Sequence, residues 1–473
     1  MANNKKKVAI IGAGPAGLSC GFELISSGFE VEIFESEDDV GGICKSLKLL
    51  DQIVDIGPHK YYTQSKRVSD FWKSHIKKED YLSQPRTSTL FYKDKFYTYP
   101  LKGLEPLFKL GVIESIKAIA SYVKYKLFPS KGDSFEDYMI NAFGKRLFEI
   151  FFKTFSKKVW DVDTTQIDRV FASQRIQKMD LFQTIKHALV YSLIEKGRIQ
   201  SRFTCSRYGS GVIYENIASD FESKGGVIHK SCNVSKILTD NKTATGIEYL
   251  DKKTGEVRKA NFDVVVSTAI FKEMLMAMDE VDSAIKEKAK LLSYRSTVLV
   301  YLEVDKESKL KDSWCYILSP EIRTGRFTNF ASWSVDMKLG NEPDVLSLEY
   351  WCGYNDAFWN KSDEELIKMA KDDLVLTKLV DYSQLYRGAV VRVKDSYPTF
   401  PLHYSKILDP IYAHISSYKN LYFIGRGGSH RYNNQDHSVL MGLLCADKIK
   451  GDDSIDVWAV NTDPAFQEDK LVD

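Results

Sequence analysis

The stretch KVAIIGAGPAGLSCGFELISSGFEVEIFE, residues 7 to 35, decides the fold of this 473-residue chain. It opens with the short β-branched run Lys7 to Ile11, which predicts a buried strand. Pro15 to Ser27 then shows the apolar spacing that is typical of a helix, and Gly28 ends it. Glu30 to Phe34 is a second apolar run. Strand, helix and strand in this order form one βαβ unit, so the sequence predicts a buried parallel sheet.

Three glycines lie in the turn between the first strand and the helix. Gly12, Gly14 and Gly17 follow the pattern GxGxxG. The first allows a tight turn, the second lets a pyrophosphate approach the backbone, and the third lets helix and strand pack closely. The amino end of the helix offers N–H groups to phosphates. Glu35, at the end of the second strand, stands where a carboxylate accepts from ribose hydroxyls. Together these residues predict a dinucleotide site.

Two further glycine-rich segments favour FAD over NAD. Val40-Gly41-Gly42 resembles the extended fingerprint of glutathione-reductase-like flavoproteins, and IGRGG, Ile424 to Gly428, resembles their second flavin segment. A nicotinamide dehydrogenase has no need for a dinucleotide site built from both ends of the chain. The residues predicted to contact FAD are Gly12, Gly14, Pro15, Ala16, Gly17, Glu35, Gly41, Gly42, Gly57, Val234, Gly425, Arg426, Gln435 and Ser438.

The order of elements predicts an α/β protein whose Rossmann-like FAD-binding domain is discontinuous. A helical insertion and an antiparallel sheet are predicted to build a substrate cleft over the flavin. Within the insertion, Ser134 with Asp137 approximates a helix-capping box. The predicted domains are an FAD-binding domain of residues 1–65, 201–290 and 406–460, a helical substrate or lid domain of residues 66–200, an antiparallel-sheet substrate domain of residues 291–405, and a tail of residues 461–473.

The composition is that of an ordinary globular enzyme and excludes several classes of protein. The formal net charge is +2, which gives no support to nucleic-acid binding. Seven cysteines without CxxC spacing suit a reducing cytoplasm better than a disulfide framework. No apolar run approaches the ~18 residues that a membrane span needs. The sequence therefore predicts a cytoplasmic protein without stable membrane insertion, either monomeric or oligomeric.

Two polar patterns suggest more specific functions, a membrane-surface site and a metal site, and the sequence favours neither. Residues 103–128 form an amphipathic helical region with several lysines, which favours a solvated helix face over a membrane-surface site. His430 and His437 lie in a polar loop without a third ligand, so no metal site is predicted.

Six segments between residues 7 and 447 resemble one family. They are Ile56 to His59, Phe96 to Lys102, Lys158 to Trp160 followed by Arg175, Tyr316 with Arg326, Tyr397 to Thr399, and His430 to Ser438. In this order they are similar to segments of the UDP-galactopyranose mutases, closest to the eukaryotic-type branch, within the amine oxidase and protoporphyrinogen oxidase-like FAD superfamily.

The resemblance implies a set of site residues. An arginine guanidinium group binds two diphosphate oxygens at once, in a bidentate contact, which agrees with a sugar nucleotide as substrate. Without the matching order of segments, each arginine would more often form a structural salt bridge. Each tyrosine or histidine would more often be a packed structural residue. The implied catalytic residues are His59, Arg175 and Arg326. The implied substrate-binding residues are Tyr99, Lys102, Trp160, Tyr316, Trp333, Tyr397, Tyr432 and Asn434.

The resemblance also implies the reaction. In this family N5 of reduced FAD attacks the anomeric carbon of the sugar and expels the nucleotide, and the sugar recloses as a furanose instead of a pyranose. The cofactor carries the covalent chemistry and the protein orients the substrate. The expected partners are a nucleotide-diphosphate sugar and, as reductant, NADPH, NADH or a reductase. Synthesis of cell-surface polysaccharide is the expected role.

Three positions depart from the eukaryotic-type pattern. Trp333 stands in place of a phosphate-contacting tyrosine, Lys102 in place of a glutamine that reads the uracil edge, and Ser156 in place of an asparagine near it. These changes predict a sugar nucleotide that need not be UDP-galactose. Two other functions stay open: an oxidase or desaturase of the amine oxidase or protoporphyrinogen oxidase type, and a non-catalytic flavin-bound scaffold for polysaccharide assembly.

Overall fold

The computed structural model describes residues 5–85, 87–99, 105–175, 202–305, 312–338 and 343–461. Its strands are β1 Lys7–Ile11, β2 Glu30–Phe34, β3 Ser46–Leu49, β4 Gln52–Asp55, β5 Tyr81–Pro85, β6 Ser88–Tyr92, β7 Lys95–Thr98, β8 Arg202–Ser206, β9 Val227–His229, β10 Cys232–Asp240, β11 Thr243–Asp251, β12 Glu256–Asn261, β13 Val264–Ser267, β14 Tyr294–Val304, β15 Trp314–Ile317, β16 Arg326–Asn329, β17 Asp344–Cys352, β18 Leu385–Pro398 and β19 Leu421–Phe423.

The helices are grouped in part, since six of them follow one another between β7 and β8. They are α1 Pro15–Ser26, α2 Lys66–Ser74, α3 Glu105–Leu110, α4 Val112–Leu127, α5 Phe135–Phe143, α6 Lys145–Phe148, α7 Thr154–Trp160, α8 Arg169–Arg175, α9 Val212–Ser223, α10 Phe271–Ala277, α11 Ser283–Lys290, α12 Asp363–Leu376, α13 Tyr404–Ile415, α14 Gly425–Gly428 and α15 Gln435–Lys450. One π-helical segment, Glu149–Lys153, links α6 to α7. In the part of the chain that is described, no helix is both long and apolar enough to cross a bilayer.

The first sheet is parallel and has five strands in the order β19-β13-β1-β2-β9. Its centre is β1, where Val8, Ala9 and Ile10 have no exposed surface. This confirms the buried βαβ unit, because strands covered on both faces read as continuous apolar runs. The sheet joins strands from residues 7–34, 227–267 and 421–423, which are distant in the sequence.

Both ends of the chain meet on one side of this sheet. Helix α15, near the carboxyl end, packs along α1. A Cβ at Gly442 would lie 2.1 Å from Ser19 Oγ and 2.4 Å from Ala16 O, so only glycine permits this approach. The close contact places the amino end of α1 against the middle of α15.

The second sheet has seven strands in the order β18-β14-β17-β16-β15-β6-β7. Its pairs are antiparallel except for β15 with β6, which is parallel. The sequence predicted a helical region over residues 66–200, and this is wrong for β5, β6 and β7. The aromatic and hydroxyl side chains of Ser88–Tyr92 and Lys95–Thr98 favour strands, and the hairpin that they form extends the sheet.

Helices α5 to α8 cover one face of this second sheet. The predicted capping box is present, since Ser134 Oγ accepts from Asp137 N at 3.1 Å and the Asp137 carboxylate accepts from Ser134 N at 3.3 Å. Trp160 of α7 and Phe400 pack in the same core as Trp351 of β17. The helical layer and the sheet therefore enclose a space next to the amino end of α1.

Candidate active site

In the glycine turn after β1, two glycines are required by the fold and a third leaves room for a ligand. Gly12 has φ +98°, and a Cβ at Gly17 would lie 2.0 Å from Gly12 O, so neither position accepts a side chain. Gly14 differs, because its backbone is extended (φ −81°, ψ −176°) and its Cβ would meet only Gly42 Cα at 3.9 Å. The missing side chain at Gly14 thus leaves space rather than relieving a clash.

Two other glycine segments surround this space. Gly41, at φ +98°, donates from its N–H to Ala13 O at 2.8 Å. Gly42 has φ +55° and faces Gly14 across the gap. From the other end of the chain, Gly425 has φ +76° and lies against Ala16. Three bare backbone segments around the amino end of a helix are what a pyrophosphate requires.

Glu35 is held at the edge of this space. Its carboxylate is 7% exposed, and it accepts from Ala13 N at 2.7 Å and from Glu37 N at 2.9 Å. Ser36 Oγ also donates to this carboxylate, at 3.2 Å. Since an ionised carboxylate has about four acceptor sites, about one remains for a ribose hydroxyl. The glycine cradle and the fixed acid fit the adenosine diphosphate part of FAD.

Beyond the cradle lies a cavity of about 340 Å³. Its wall combines the loop that carries His59, the faces of β14, β16, β17 and β18, and helix α7. The sequence-predicted residues in this wall are Gly57, His59, Tyr99, Trp160, Tyr316, Arg326, Trp333, Tyr397, Arg426, Tyr432, Asn434 and Gln435. The structure therefore brings twelve widely spaced predicted residues into one cavity.

His59 is partly buried where the cavity adjoins the cradle. Gly57 turns the loop with φ +82°, and His59 Nε2 donates to Ile56 O at 2.8 Å. Burial, and then the positive charge of Arg426, lower the pKa of His59 to about 3. The imidazole is consequently neutral at physiological pH and is available as a packed, uncharged side chain.

The low pKa of His59 predicts a pH-dependent contribution to stability. The unfolded chain takes up this proton near pH 6.5, whereas the folded protein does so only near pH 3. The contribution of His59 is thus present above pH 6.5 and is lost as the pH falls toward 3. We expect the difference in free energy of unfolding between wild type and His59→Gln to shrink from pH 7 to pH 4 in urea titrations. A difference independent of pH would contradict the burial of a neutral imidazole.

Arg326 is paired with an acid that the sequence analysis did not select. Its Nε and Nη2 donate to the two carboxylate oxygens of Glu349 at 2.7 and 2.6 Å. The side chain of Glu349 is 2% exposed and that of Arg326 is 15% exposed. Glu349 therefore fixes the plane of the guanidinium group, and both residues line the cavity.

A second guanidinium group lies against two neighbouring aromatic rings, whose centroids are 5.4 Å apart. The Arg426 guanidinium carbon lies 5.0 Å from the ring centroid of Tyr397 and 5.0 Å from that of Tyr432. Arg426 donates to Asn433 O at 2.9 and 2.6 Å and to Ser396 O at 3.1 Å. Cation–π contacts and three hydrogen bonds hold it in one position.

Lys158 supports the turn between β15 and β16, which presents Tyr316 and Arg326 to the cavity. The lysine is buried, and its Nζ donates to Ile317 O, Ser319 O and Thr324 O at 2.8, 2.9 and 3.0 Å. Because Lys158 belongs to α7, it ties the helical layer to the turn of the sheet.

Removal of this ammonium is expected to loosen the turn. Lys158→Met leaves three buried carbonyls without a donor, and we expect a loss of at least about 2 kcal/mol in the free energy of unfolding. Lys157→Met is the matched control, because Lys157 is half exposed and forms a surface ion pair with Asp163. That control should change stability by no more than about 1 kcal/mol. Equal effects in thermal or urea unfolding would contradict the supporting role of Lys158.

Apart from Glu35 and the residues of the glycine cradle and the amino end of α1, four predicted site residues are not among the described residues of the cavity wall. Val234 lies on β10 in a buried core, and Ser438 is buried within α15. Arg175 is the last residue of α8, and its side chain lies outside what the structure describes. Lys102 lies outside the described residues. The roles given to these four residues stay predictions.

Trp333 lines the cavity but has little freedom to contact a ligand. It is 1% exposed, it packs against Phe203 and Trp314, and its indole N–H donates to Ser313 O at 3.3 Å. The only donor of this side chain is thereby occupied. Trp333 therefore has no free donor to offer a phosphate oxygen, and its substrate role stays a prediction.

Several wall residues were missed by the sequence analysis. They are Lys60, Phe155, Glu349, Ser396 and Asp436. Glu349 had a detectable signal, because it is the one acid inside the otherwise apolar stretch VLSLEYWC. A charged residue in a central strand is rarely buried without a partner.

The fold and this cavity define a class of protein, one that binds FAD across a cradle built from both ends of the chain. More narrowly, the chain belongs to the flavin-containing amine oxidoreductase family, whose model matches residues 15–449.

Two mutases are among the proteins that are similar to this chain. The chain is 24% identical over 178 residues to "Probable UDP-galactopyranose mutase" of Klebsiella pneumoniae, covering 35% of this chain and 43% of that one. It is 25% identical over 173 residues to dTDP-fucopyranose mutase of Escherichia coli, covering 34% and 43%. The chain thus spans less than half the length of either relative.

A solved structure of a mutase matches over nearly the whole chain. The crystal structure of reduced UDP-galactopyranose mutase superposes with a TM-score of 0.81 at 19% identity, covering 98% of each chain. At this identity the likeness shows the fold, and it confirms the predicted resemblance and fold class.

Proposed function

We propose that this protein is a flavin-dependent mutase that interconverts the pyranose and furanose forms of a nucleotide-diphosphate sugar. One observation carries the proposal: two immobilised guanidinium groups, those of Arg326 and Arg426, line the same cavity beside the flavin-side loop of His59. Anionic oxygens gain from such groups, whereas an amine or a hydrocarbon does not.

Arg326 is oriented for a phosphate even though it is paired. Glu349 occupies its Nε and Nη2, and a guanidinium group has five N–H donors. The remaining donors face a cavity that also holds the phenols of Tyr397 and Tyr432. Burial raises the pKa of Tyr397, so this hydroxyl stays protonated and donates to an anionic oxygen. Arg175 is proposed as a further phosphate ligand.

The wall of the cavity around Tyr316, next to Arg326, suits a nucleotide base. Tyr316 lies at its wall with Tyr99 at 5.2 Å and Phe155 at 5.4 Å between ring centroids, both edge to face. An aromatic face supports stacking of a base. With the base at this wall and the diphosphate at Arg326, the sugar lies toward His59.

The flavin, when bound and reduced, supplies a nucleophilic ring nitrogen for the sugar carbon. The chain itself anchors the diphosphate, and it orients the sugar in a site that is largely enclosed. NADPH or NADH is proposed as the source of electrons. Since the base-reading positions differ from the resembling family, the substrate is proposed as UDP-galactose or a related sugar nucleotide.

An oxidase or desaturase is the competing function, and the family supports it through its amine oxidoreductase members. Ligand binding separates the two functions. We expect UDP, dTDP or GDP to perturb the visible flavin spectrum of the oxidised protein at micromolar concentration, with the free sugar and simple amines inert. If an amine or a polyene reduced the flavin under anaerobic conditions and no nucleoside diphosphate bound, the mutase proposal would be wrong.

A further inference from the structure

An exposed apolar surface runs along helix α4 and the residues at its two ends. Its side chains are between 48% and 80% exposed and none of them contributes to the cavity. This surface, called here the α4 apolar face, consists of Phe108, Val112, Ile113, Ile116, Ile119, Val123, Leu127 and Phe128. Monomeric proteins rarely expose a contiguous apolar patch of this kind without using it.

The helical geometry gathers these side chains on one side. At 3.6 residues per turn, the six that belong to α4 fall within an arc of about 120°. The opposite side anchors the helix to the protein: Ala118 is buried, and Glu114 accepts from Arg146 Nε at 2.7 Å. A Cβ at Gly144 would lie 2.7 Å from Tyr122 Cα, so α4 packs tightly on the chain that follows it. The helix is thus fixed with its apolar side outward.

Lysines border the apolar arc on both sides. By the same geometry Lys117 and Lys124 fall on one border and Lys126 on the other. Between residues 105 and 131 the chain has five lysines against two glutamates, whereas its whole net charge is +2. This segment therefore has a local excess of positive charge beside the apolar face.

This charge pattern indicates which kind of partner covers the α4 apolar face. In a symmetric contact between two copies, each lysine border would approach the equivalent border of the partner, and like charges would repel. An anionic lipid surface satisfies both features, because the apolar side chains enter the acyl boundary while lysines reach the headgroups. We propose that the α4 apolar face docks the protein onto an anionic bilayer.

The inference is independent of the proposed mutase activity. The sequence favoured a solvated polar face for residues 103–128, whereas the structure turns the apolar side to the solvent. Docking in the interface plane requires no membrane-crossing helix, which agrees with the absence of one among the described residues.

Vesicle sedimentation of the full-length, flavin-loaded protein tests the proposal. We expect the protein to pellet with vesicles of phosphatidylcholine containing about one third phosphatidylglycerol, and binding to fall about tenfold with phosphatidylcholine alone or in high salt. The double variant Ile116→Glu/Val123→Glu should bind at least about tenfold more weakly. Lys117→Glu/Lys124→Glu should lose the preference for the anionic vesicles.

Val257→Glu is the matched control, because Val257 is 63% exposed on β12, apart from this surface. It should sediment like wild type, and circular dichroism should show that every variant is folded. Absence of binding to anionic vesicles, or equal binding by the Ile116→Glu/Val123→Glu variant, would overturn the proposal. So would a dimer in sedimentation velocity that the same double variant dissociates, because the face would then be covered by a second copy.

Discussion

Gly14→Ala is expected to fold normally and to lose its flavin, whereas Gly17→Ala is expected to fail at folding. An alanine at position 14 meets only Gly42 Cα, at 3.9 Å, and its extended backbone is open to any residue. The new methyl group occupies the space through which the pyrophosphate approaches. We expect FAD affinity to fall at least tenfold, which corresponds to about 1.4 kcal/mol.

The substitution at position 17 acts by a different route. Its Cβ would lie 2.0 Å from Gly12 O, and a backbone atom cannot move aside as a side chain can. We expect a loss of at least about 3 kcal/mol in stability, or an insoluble protein. Flavin fluorescence titration and thermal unfolding of the two variants measure the contrast.

Gly353→Ala provides the control, since Gly353 lies outside the cradle and a Cβ there would be 3.4 Å from Asp356 Oδ2. It should retain the flavin. Wild-type flavin affinity in Gly14→Ala would show that the diphosphate does not lie against Gly14.

The pair formed by Arg326 and Glu349 gives the second large effect. Either single change, Arg326→Leu or Glu349→Leu, strands a buried charge, and we expect each to cost about 3–5 kcal/mol of stability. The double change removes both charges and should return stability close to wild type. The two variants that lack Arg326 should bind nucleoside diphosphates about 100-fold more weakly, or worse, because the phosphate loses a charged donor.

The chain offers a matched pair for this experiment. Arg387 donates to the carboxylate of Glu303 at 2.6 to 3.0 Å, and Glu303 is 4% exposed while Arg387 is 57% exposed. The changes Arg387→Leu and Glu303→Leu together should leave nucleotide binding untouched. If the Arg326→Leu/Glu349→Leu double variant bound nucleotide as tightly as wild type, Arg326 would be a structural arginine only.

The sequence predicted those parts of the fold that have local signals. The βαβ unit over residues 7–35 is confirmed, because its apolar runs and glycines are read from neighbouring positions. The β6–β7 hairpin was missed, since its strands gain their stability from pairing with β15, more than 200 residues away. Tertiary pairing of this kind overrides local propensity.

The residues of the candidate site also divide into those with a local sequence signal and those whose role depends on tertiary contacts. Residues in recognisable motifs, such as His59, Arg326 and Tyr397, were selected and lie in one cavity. Glu349 and Lys158 were not selected as site residues, because their importance comes from what they contact. A buried acid acquires its role from the guanidinium beside it, and a buried lysine from three carbonyls of a distant turn. Neither relation is visible in residue types alone.

The most direct test of the proposed function is an anaerobic turnover assay. The protein would be reduced with dithionite, incubated with UDP-, dTDP- and GDP-linked hexopyranoses, and the nucleotide sugars resolved by chromatography. We predict a new furanose peak from at least one of these substrates, present only when the flavin is reduced. Absence of any furanose product across the panel, with the flavin bound and reduced, would contradict the account.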